Sequence, residues 1–327
     1  MIIISIVVII FISIFILIWK RKINIAKWSI KVFNSESFIA SPFQDNSINK
    51  PTLKASDVTD INAEFVADPF IIKEGSRYYL FFEVLEKSTN KGVIGLATSE
   101  NGEKWKYEKI VLRETFHLSY PHVFKFNENF YMIPESIEAD RILLYKAKNF
   151  PHEWEIVHEL LRGKYVDPTI FQYKNNWWMF AGTSNKLHLF SSANLEGKWI
   201  EHPMSPIITG NNNITRPGGR VIIENGEIYR YAQDGQPYYG FALRAFKIKK
   251  LSTSLYEEEE VSINLYGSSK VNDWRKDGMH SIDQLKIEEN KWLIAVDGHI
   301  FKEGNYIIWK VKNIIAKFNN YRLKALK

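Results

Sequence analysis

One pattern constrains the fold more than any other: a short hairpin that recurs five times along the chain. The first copy runs from Phe65 to Glu83 and reads FVADPFIIKEGSRYYLFFE. It has an Asp-Pro start, an apolar strand, a Glu-Gly-Ser turn and an aromatic strand. A glycine-containing turn between two apolar runs is typical of a β-hairpin. Equivalent segments follow at intervals of 52, 47 and 49 residues and then of 64 residues. They begin at Pro121, Asp167-Pro168, Arg216-Pro217 and His280-Ser281.

Most copies continue into a further apolar alternation and then a tryptophan. Examples are VIGLATS before Trp105, ILLYKAK before Trp154 and LHLFSS before Trp199. In the fifth copy IIWKVKN is predicted as this strand, with Trp309 inside it. Four strands in roughly 40–50 residues, repeated five times, predict an all-β, five-bladed β-propeller. A β-sandwich explains the pattern less well, because its strands need not recur with the same leading residues.

Propeller geometry turns these repeats into a prediction about function. The innermost strand of every blade lines a central channel, so the leading residues of the copies converge on one face. These residues are Asp68, Pro121, Asp167, Arg216 and His280. Charged residues that gather from separate blades at one channel mouth favour a ligand site. The recurring tryptophans are interpreted as packing between blades.

Composition excludes several classes of protein. The 327 residues include no cysteine, so disulfides, thiolate metal sites and cysteine nucleophiles are excluded. The formal net charge is +6, but no basic patch coincides with a nucleic-acid motif, and no nucleic-acid partner is expected. No metal site and no cofactor are predicted.

The chain begins with an apolar run. Residues 1–19 carry no charge, and Lys20, Arg21 and Lys22 follow directly. This length is enough to cross a bilayer. A cleaved signal peptide would have its positive charges before the run and a small-residue cleavage site after it. Residues 1–22 are therefore predicted to be a single-pass transmembrane anchor, and the positive flank predicts a soluble domain that faces the cytoplasm.

The remaining domain boundaries follow from the repeats. Residues 23–60 are predicted to be a connector, with one strand at Trp28–Asn34 that closes the ring by pairing with a strand around Ile307–Val311. The propeller is predicted over residues 61–312, and residues 313–327 are predicted to be a basic tail.

Several motifs resemble known families. ADPF at 67–70, VDPTIF at 166–171 and GMHSID at 278–283 resemble the five-bladed propellers of the arabinanase–xylosidase and invertase–levanase glycoside hydrolases. FHLSYPHVF at 116–124, MIPE at 132–135, RPGG at 216–219 and YRYAQD at 229–234 are more similar to the N-terminal domain of plant glucosamine inositolphosphorylceramide transferase and its bacterial relatives. The resemblance covers roughly residues 60 to 312, and motifs in this order at blade spacing are fairly specific.

The resemblance to the hydrolases implies roles for three leading positions. It makes Asp68 the general base that activates water, and Asp167 the residue that orients the sugar and tunes the acid. The hydrolases have a glutamate as proton donor at the start of blade four, where this chain has Arg216. An arginine does not give up its proton, and an inverting hydrolase needs two carboxyl groups about 6.5–9.5 Å apart.

Three alternatives follow from that replacement. Glu135 or Glu83, each at the end of a hairpin, could supply the proton. A phosphate or nucleotide leaving group would need no acid, and Arg216, with Arg230 or Arg220, could hold it. The site could also bind sugar without chemistry.

The candidate residues divide into two groups. The predicted catalytic residues are Asp68, Asp167 and Glu135. The predicted substrate-binding residues share a position near a hairpin start or end; they are Glu83, His117, Tyr120, Arg216, Arg230, Gln233, Asp234 and His280. Tyr238 and Tyr239 are candidate platforms for a sugar.

The sequence thus predicts a membrane-anchored, carbohydrate-active protein that acts on a carbohydrate or glycolipid ligand, as a glycosidase-like or glycosyl-transferring enzyme in surface-glycan or glycolipid metabolism. The alternative is a non-catalytic, glycan-binding propeller that positions a separate glycosyltransferase.

Overall fold

The computed structural model describes residues 19–39, 50–266 and 273–325. Most of the predicted anchor, residues 1–18, lies outside the described residues. Within the described part, no helix has both the length and the apolar composition needed to span a bilayer.

The first three blades follow the predicted repeat. Blade one consists of β2 Ala63–Glu74, β3 Arg77–Glu86, β4 Lys91–Ser99 and β5 Lys106–Leu112. Blade two consists of β6 Ser119–Phe126, β7 Asn129–Glu135, β8 Arg141–Asn149 and β9 Glu153–Arg162. Blade three consists of β10 Val166–Tyr173, β11 Asn176–Gly182, β12 Lys186–Ser192 and the short β13 Ile200–Glu201 and β14 Ile208–Thr209, which both pair with β12. In each blade the first strand of the predicted hairpin is innermost.

The last two blades complete the ring. Blade four consists of the short inner strands β15 Arg216–Pro217 and β16 Ile222–Glu224, then β17 Glu227–Asp234, β18 Ala242–Leu251 and β19 Tyr256–Tyr266. Blade five consists of β20 Ile282–Glu288, β21 Lys291–Asn305 and β1 Lys22–Ser35, in the order β1-β21-β20. The described chain therefore forms five antiparallel sheets, which confirms the predicted all-β, five-bladed propeller.

A strand from the start of the chain closes the ring, as the sequence predicted for Trp28–Asn34. The observed strand β1 is longer, Lys22–Ser35, and pairs with β21 along its whole length, from Lys22 opposite Asn305 to Ser35 opposite Trp292. The predicted partner around Ile307–Val311 is wrong. Those residues lie instead in an α-helix, Tyr306–Ala325, which also occupies most of the predicted basic tail. The apolar residues at 308, 311, 315 and 318 follow the helical period. The short segment IIWKVKN at 307–313 conceals this period, because its polar and apolar residues partly alternate as in a strand.

Apolar side chains fill the space between neighbouring blades. The five buried clusters each join two adjacent blades: Ile30 with Leu80, Phe81 with Met132, Ile133 with Met179, Phe180 with Val221, and Tyr231 with Ile294. Because every interface has such a core, the hydrophobic effect closes the ring as a whole. One of the recurring tryptophans supports its predicted role. The Trp154 ring of blade two meets Phe81 of blade one edge to face, with centroids 5.6 Å apart.

The two glycines of the RPGG segment allow close packing on two sides: Gly219 lies against blade five, and Gly218 packs within blade four. A Cβ on Gly219 would lie 2.0 Å from the carbonyl oxygen of Ile282, and one on Gly218 would lie 2.5 Å from the Leu243 side chain. The Ile282 N–H donates to the Gly218 carbonyl at 2.9 Å. Only glycine permits this approach of two inner strands, and it sets the position of Arg216 relative to blade five.

Candidate functional site

The inner strands of blades one, two and three share a β-bulge just before a proline. Asp68, Tyr120 and Asp167 each precede a proline and have positive φ angles of 52°, 47° and 50°. At each of them the pairing with the next strand shifts register. Such a bulge re-aims the side chain at its position, and a left-handed conformation in a non-glycine residue stores strain that is common at functional sites. The repeated Xaa-Pro start therefore builds the channel mouth.

Backbone N–H groups at these bulges bind carboxylates from neighbouring blades. The Asp68 N–H donates to Asp297 Oδ2 at 3.2 Å, and the Tyr120 N–H donates to Asp68 Oδ2 at 3.2 Å. The Asp167 N–H donates to Glu135 Oε2 at 3.3 Å. Each of these three blades thus orients an acidic side chain of the blade before it, and the acids face a common centre.

Arg216 supplies a positive charge among these acids. Its guanidinium donates to Asp167 and, through Nη2 at 3.2 Å, to Glu135 Oε2. Gln233 Nε2 donates to the same Asp167 Oδ2 at 2.8 Å. The Arg216 guanidinium also lies over the Tyr239 ring, 5.2 Å from its centroid. The side chain of Arg216 keeps 30% of its surface exposed, so it can still reach a ligand. We call Asp68, Glu83, Glu135, Asp167, Arg216 and Asp297 the mouth cluster.

The mouth cluster has five carboxyl groups and one arginine, and all five carboxyl residues are buried. Burial raises the pKa of Asp68 to about 7, although His280 opposes the shift. Burial and the nearby Asp68 hold the pKa of Glu83 well above its usual range. Burial and the neighbouring Asp167 do the same for the pKa of Glu135. Burial thus favours the protonated form of three of the five carboxyl groups.

His280 connects the mouth cluster to blade five. Its Nδ1 lies 2.6 Å from Asp297 Oδ2, and its Nε2 lies 3.7 Å from Asp68 Oδ1. Burial lowers the pKa of His280, but the carboxylates of Asp297 and Asp68 outweigh it and leave the pKa above its ordinary value. The Trp28 ring stacks on this imidazole, with centroids 4.1 Å apart. His280 is thus fixed in one orientation beside Asp68.

His117 lies beside Glu83 on the other side of the mouth. Its Nδ1 accepts the Gly92 N–H at 2.9 Å, so the neutral ring carries its proton on Nε2. That Nε2 lies 3.4 Å from Glu83 Oε1. Burial lowers the pKa of His117. Since burial also favours a protonated Glu83, this pair is a neutral part of the mouth.

Two buried oxygen atoms of the mouth have no hydrogen-bond partner within the described chain: Asp68 Oδ1 and Gln233 Oε1. Buried acceptors without partners are uncommon and call for an explanation. A sugar hydroxyl or an attacking water would satisfy both. Asp68, His280 and Asp297 also offer three ligand atoms within 4.8 Å of one another, a spacing that could hold a small cation.

Other predicted site residues lie away from this centre. The Tyr120 ring is fully buried and its hydroxyl pairs with Thr169 Oγ1 at 2.8 Å, so only its N–H belongs to the mouth. Arg230 lies between blades three and four, where it pairs with Glu258 at 2.5 Å and its side chain is 3% exposed. Asp234 pairs with Arg244 at 2.8 Å. We expect neither Arg230 nor Asp234 to touch a ligand at the mouth.

Trp28 is a residue of the mouth that the repeats did not predict. It lies in the ring-closing strand, and its position follows once that strand is paired with blade five. Tyr239, a predicted candidate platform, is 52% exposed and meets His280 edge to face at 5.1 Å. Its place above Arg216 makes it the exposed aromatic face of the site.

A second polar cluster lies three or four residues further along the inner strands, about 10 Å deeper in the channel. Arg220 Nε donates to Asp283 Oδ1 at 2.7 Å, and Nη2 donates to the Val123 carbonyl at 3.0 Å. The Ile71 N–H donates to Asp283 Oδ2 at 2.6 Å, and Arg220 Nη1 lies 3.4 Å from His122 Nε2. We call Arg220, Asp283 and His122 the axial cluster. It joins blades one, two, four and five.

The closed ring of five sheets defines a five-bladed β-propeller, a fold that solved glycoside hydrolases share. The catalytic domain of an α-L-arabinofuranosidase from Coprinopsis cinerea superposes with a TM-score of 0.55 at 10% identity, over 84% of this chain and 96% of that one. An exo-1,5-α-L-arabinanase from a bovine ruminal metagenomic library gives 0.53 at 14% identity, over 76% and 96%. At these identities the likeness concerns the fold alone.

The chain belongs to the family described as "Glucosamine inositolphosphorylceramide transferase 1, N-terminal", whose model matches residues 24–299. Proteins named glucosamine inositolphosphorylceramide transferase 1 are similar to it. The Oryza sativa subsp. indica protein is 35% identical over 254 residues, and the Arabidopsis thaliana protein is 33% identical over 309 residues. These matches cover 74% and 87% of this chain but only 34% and 40% of the relatives.

Proposed function

We propose that this chain is a membrane-anchored carbohydrate-active enzyme that cleaves or transfers a glycosyl unit in glycolipid or surface-glycan metabolism. One observation carries the proposal: carboxyl groups from four blades share one buried mouth in different surroundings, since Asp68 Oδ1 has no hydrogen-bond partner within the described chain while Glu135 accepts from the Asp167 N–H and from Arg216. Different surroundings are what separate a general base from a general acid in one pocket. The names of the relatives, which refer to a glycosylated phosphosphingolipid, agree with a glycolipid substrate.

The geometry suggests a role for each group. Asp68 is the base, because its free Oδ1 can take the proton from an attacking water or acceptor hydroxyl as the new bond to the sugar forms. Glu135 is the acid, because burial keeps its proton available for the leaving oxygen as the glycosidic bond breaks. Asp167 is held by Arg216 and Gln233, and it orients the sugar. In this step Asp68 takes up one proton and Glu135 releases one.

Arg216 adds a second route for the leaving group. It stands where the hydrolases that this chain resembles have their acid, and an arginine cannot donate a proton. It can bind a phosphate bidentately, and a phosphate or nucleotide departs without protonation. A nucleotide-sugar donor or a phospholipid headgroup would both use this contact.

Two variants test the enzymatic role. Asp68→Asn and Glu135→Gln are assayed with the purified full chain against a panel of glycolipids and nucleotide sugars. We expect each to lose about 10²–10⁴-fold in turnover, with binding retained. Glu100→Gln, which alters an exposed pair with Arg77, is the matched control and should keep full activity. The wild-type rate should rise as pH increases towards about 7, where Asp68 ionises.

A second candidate function is a glycan-binding propeller that positions a separate glycosyltransferase. Arg216 at the acid position favours it, and so does the greater length of the relatives, of which this chain spans about a third to two fifths. If the wild-type chain binds a glycan but turns over no member of the panel, and Asp68→Asn binds equally well, the enzymatic role fails and this candidate stands.

Membrane attachment is also part of the proposal. The uncharged run before Lys20 supports a single-pass anchor in residues 1–22, and the positive flank supports a cytoplasmic propeller. A reporter fused after the last residue decides the orientation. Activity of a reporter that works only outside the cytoplasm would contradict it.

A further inference from the structure

The helix Tyr306–Ala325 combines an exposed apolar stripe with an unbalanced charge. Ile308, Val311, Ile315 and Phe318 repeat at helical spacing and are 46%, 48%, 55% and 66% exposed. The helix carries five basic residues and no acidic one; the basic residues are Lys310, Lys312, Lys317, Arg322 and Lys324. A helix with one apolar and one basic side is typical of segments that lie in the interface of an anionic membrane.

The helix lies on the face of the propeller that holds the mouth cluster. Ala316, on the side away from the apolar stripe, is buried, and Asn319 Nδ2 donates to the Ser88 carbonyl at 2.7 Å. Ser88 belongs to the loop between β3 and β4, next to the end of β3 that carries Glu83. The helix is therefore docked by one side at the rim of the mouth. Val311 and Phe318 are exposed on its outer side, while Ile308 and Ile315 are about half exposed and line a cavity between the helix, β1 and blade one.

A cavity of about 500 Å³ separates the helix from the mouth. Lys310 and Lys317 line it on the helix side, and Lys91 and Glu138 line it on the propeller side. Lys91 pairs with Glu138 at 3.5 Å, and the same glutamate accepts the His117 N–H at 3.1 Å. A continuous polar path thus runs from the helix, past Glu138 and His117, to Glu83 in the pocket.

Trp19 and Arg21 contact the start of this helix. Asn305 Nδ2 donates to the Trp19 carbonyl at 2.6 Å, and the Tyr306 N–H donates to the Arg21 carbonyl at 3.0 Å. The guanidinium of Arg21 lies 4.3 Å from the centroid of the Tyr306 ring. Residues 19–21 therefore contact the first turn of this helix, and the anchor proposed above would bring the helix to the bilayer surface.

We propose that the helix Tyr306–Ala325 lies in the headgroup layer of an anionic bilayer with its apolar stripe inserted, so that the mouth faces headgroups and takes a glycolipid from the same membrane. The lysines on either side of the stripe pair with lipid phosphates, at the depth where long basic side chains stay hydrated. The membrane contact rests on the helix itself, and the choice of a glycolipid rests on the proposed function.

Charge favours a membrane over a second copy of the chain as the occupant of this stripe. In a two-fold dimer the helix would meet its own copy. Neither helix has an acidic residue to balance its five basic ones, and like charges brought together oppose association. An anionic lipid surface supplies the missing negative charge.

The test uses the absence of cysteine from the chain. The full-length protein with Phe318→Cys, labelled with an environment-sensitive fluorophore, is reconstituted into vesicles of phosphatidylcholine with phosphatidylglycerol that contain doxyl-labelled lipid. The control is Ile223→Cys, an apolar residue that is 41% exposed beside the turn between β16 and β17, on the opposite face. We expect the label at 318 to lose most of its fluorescence and the label at 223 to lose none.

Two further experiments distinguish membrane insertion from contact with a second copy of the chain. Replacing Lys310, Lys312 and Lys317 by glutamate should abolish the quenching at 318, as should vesicles without phosphatidylglycerol. An unquenched label at 318, or excimer emission from a pyrene label there, would overturn the proposal, the latter in favour of a second copy. Because quenching needs no turnover, quenching with an inactive protein would reject only the proposed function. Turnover without quenching would reject only the membrane contact.

Discussion

The mouth cluster and the axial cluster lie along the same channel, yet they differ in how their buried charges are paired. In the axial cluster, one arginine meets one aspartate, and both oxygens of Asp283 have donors. In the mouth cluster, five carboxyl groups share one arginine, and Asp68 Oδ1 has no hydrogen-bond partner within the described chain. A buried ion pair with complete hydrogen bonding holds a structure together, whereas uncompensated buried charge is retained at functional sites.

Depth in the channel explains the difference. Burial raises the pKa of Asp283, but Arg220 and the backbone donors oppose the shift. Burial and Arg220 also hold the pKa of His122 well below its usual range, so the axial cluster keeps one fixed state. At the mouth, protons can be exchanged with solvent, and the burial that raises the pKa of Asp68 places its titration near neutral pH.

The largest expected effect is on stability, at the axis. Asp283→Asn leaves Arg220 charged and without its carboxylate partner, and we expect a loss of about 3–5 kcal/mol in the free energy of unfolding. Because an arginine cannot release its proton, this loss should be similar at pH 5 and pH 8. Urea unfolding of the full chain measures it. Glu259→Gln, which alters an exposed pair with Lys249, should cost less than about 1 kcal/mol. Equal costs for both variants would contradict the assigned role of the axial cluster.

A smaller effect that depends on pH is expected at the mouth for Arg216→Met. Without the guanidinium, Asp167 and Glu135 lose a donor, and we expect a loss of about 1–3 kcal/mol at pH 8. Protons can replace the missing positive charge, so the loss should shrink at pH 5. Denaturation curves at the two pH values, measured beside those of Asp283→Asn, check this. A pH-independent loss would mean that Arg216 is a structural residue like Arg220.

The smallest effect, with the opposite sign, is expected for Asp68→Asn. The pKa of Asp68 is higher in the folded protein than in the unfolded chain, so the folded state binds the extra proton. Its stability therefore decreases as pH rises from about 4 to about 7. Removing the carboxyl group should raise the free energy of unfolding by about 0.5–2 kcal/mol at pH 8 and leave it unchanged at pH 4. A loss at pH 8 would show that ionised Asp68 stabilises the fold.

The repeat allowed much of this site to be predicted, because propeller symmetry converts spacing along the chain into proximity. Asp68, Asp167, Arg216 and His280 meet at one mouth for that reason. The same symmetry does not say which side of a strand a residue faces. Arg230 and Gln233 are three positions apart on β17, so their side chains point to opposite faces, and only Gln233 reaches Asp167.

Two other features could not follow from the repeat. The helix Tyr306–Ala325 lies beyond the last blade, where propeller symmetry offers no template, and its first residues alternate as a strand would. The contact of Trp28 with His280 depends on the register of β1 against β21, which pairing over a separation of more than 250 residues fixes only in the folded protein.

Pairing of β1 with β21 also sets when the pocket can exist. During synthesis β1 leaves the ribosome before β21, and it must wait for that partner through more than 250 intervening residues. Trp28, Asp68 and Asp297 can come together only after β21 has emerged. A chain that ends before β21 therefore has neither a closed ring nor a complete mouth cluster.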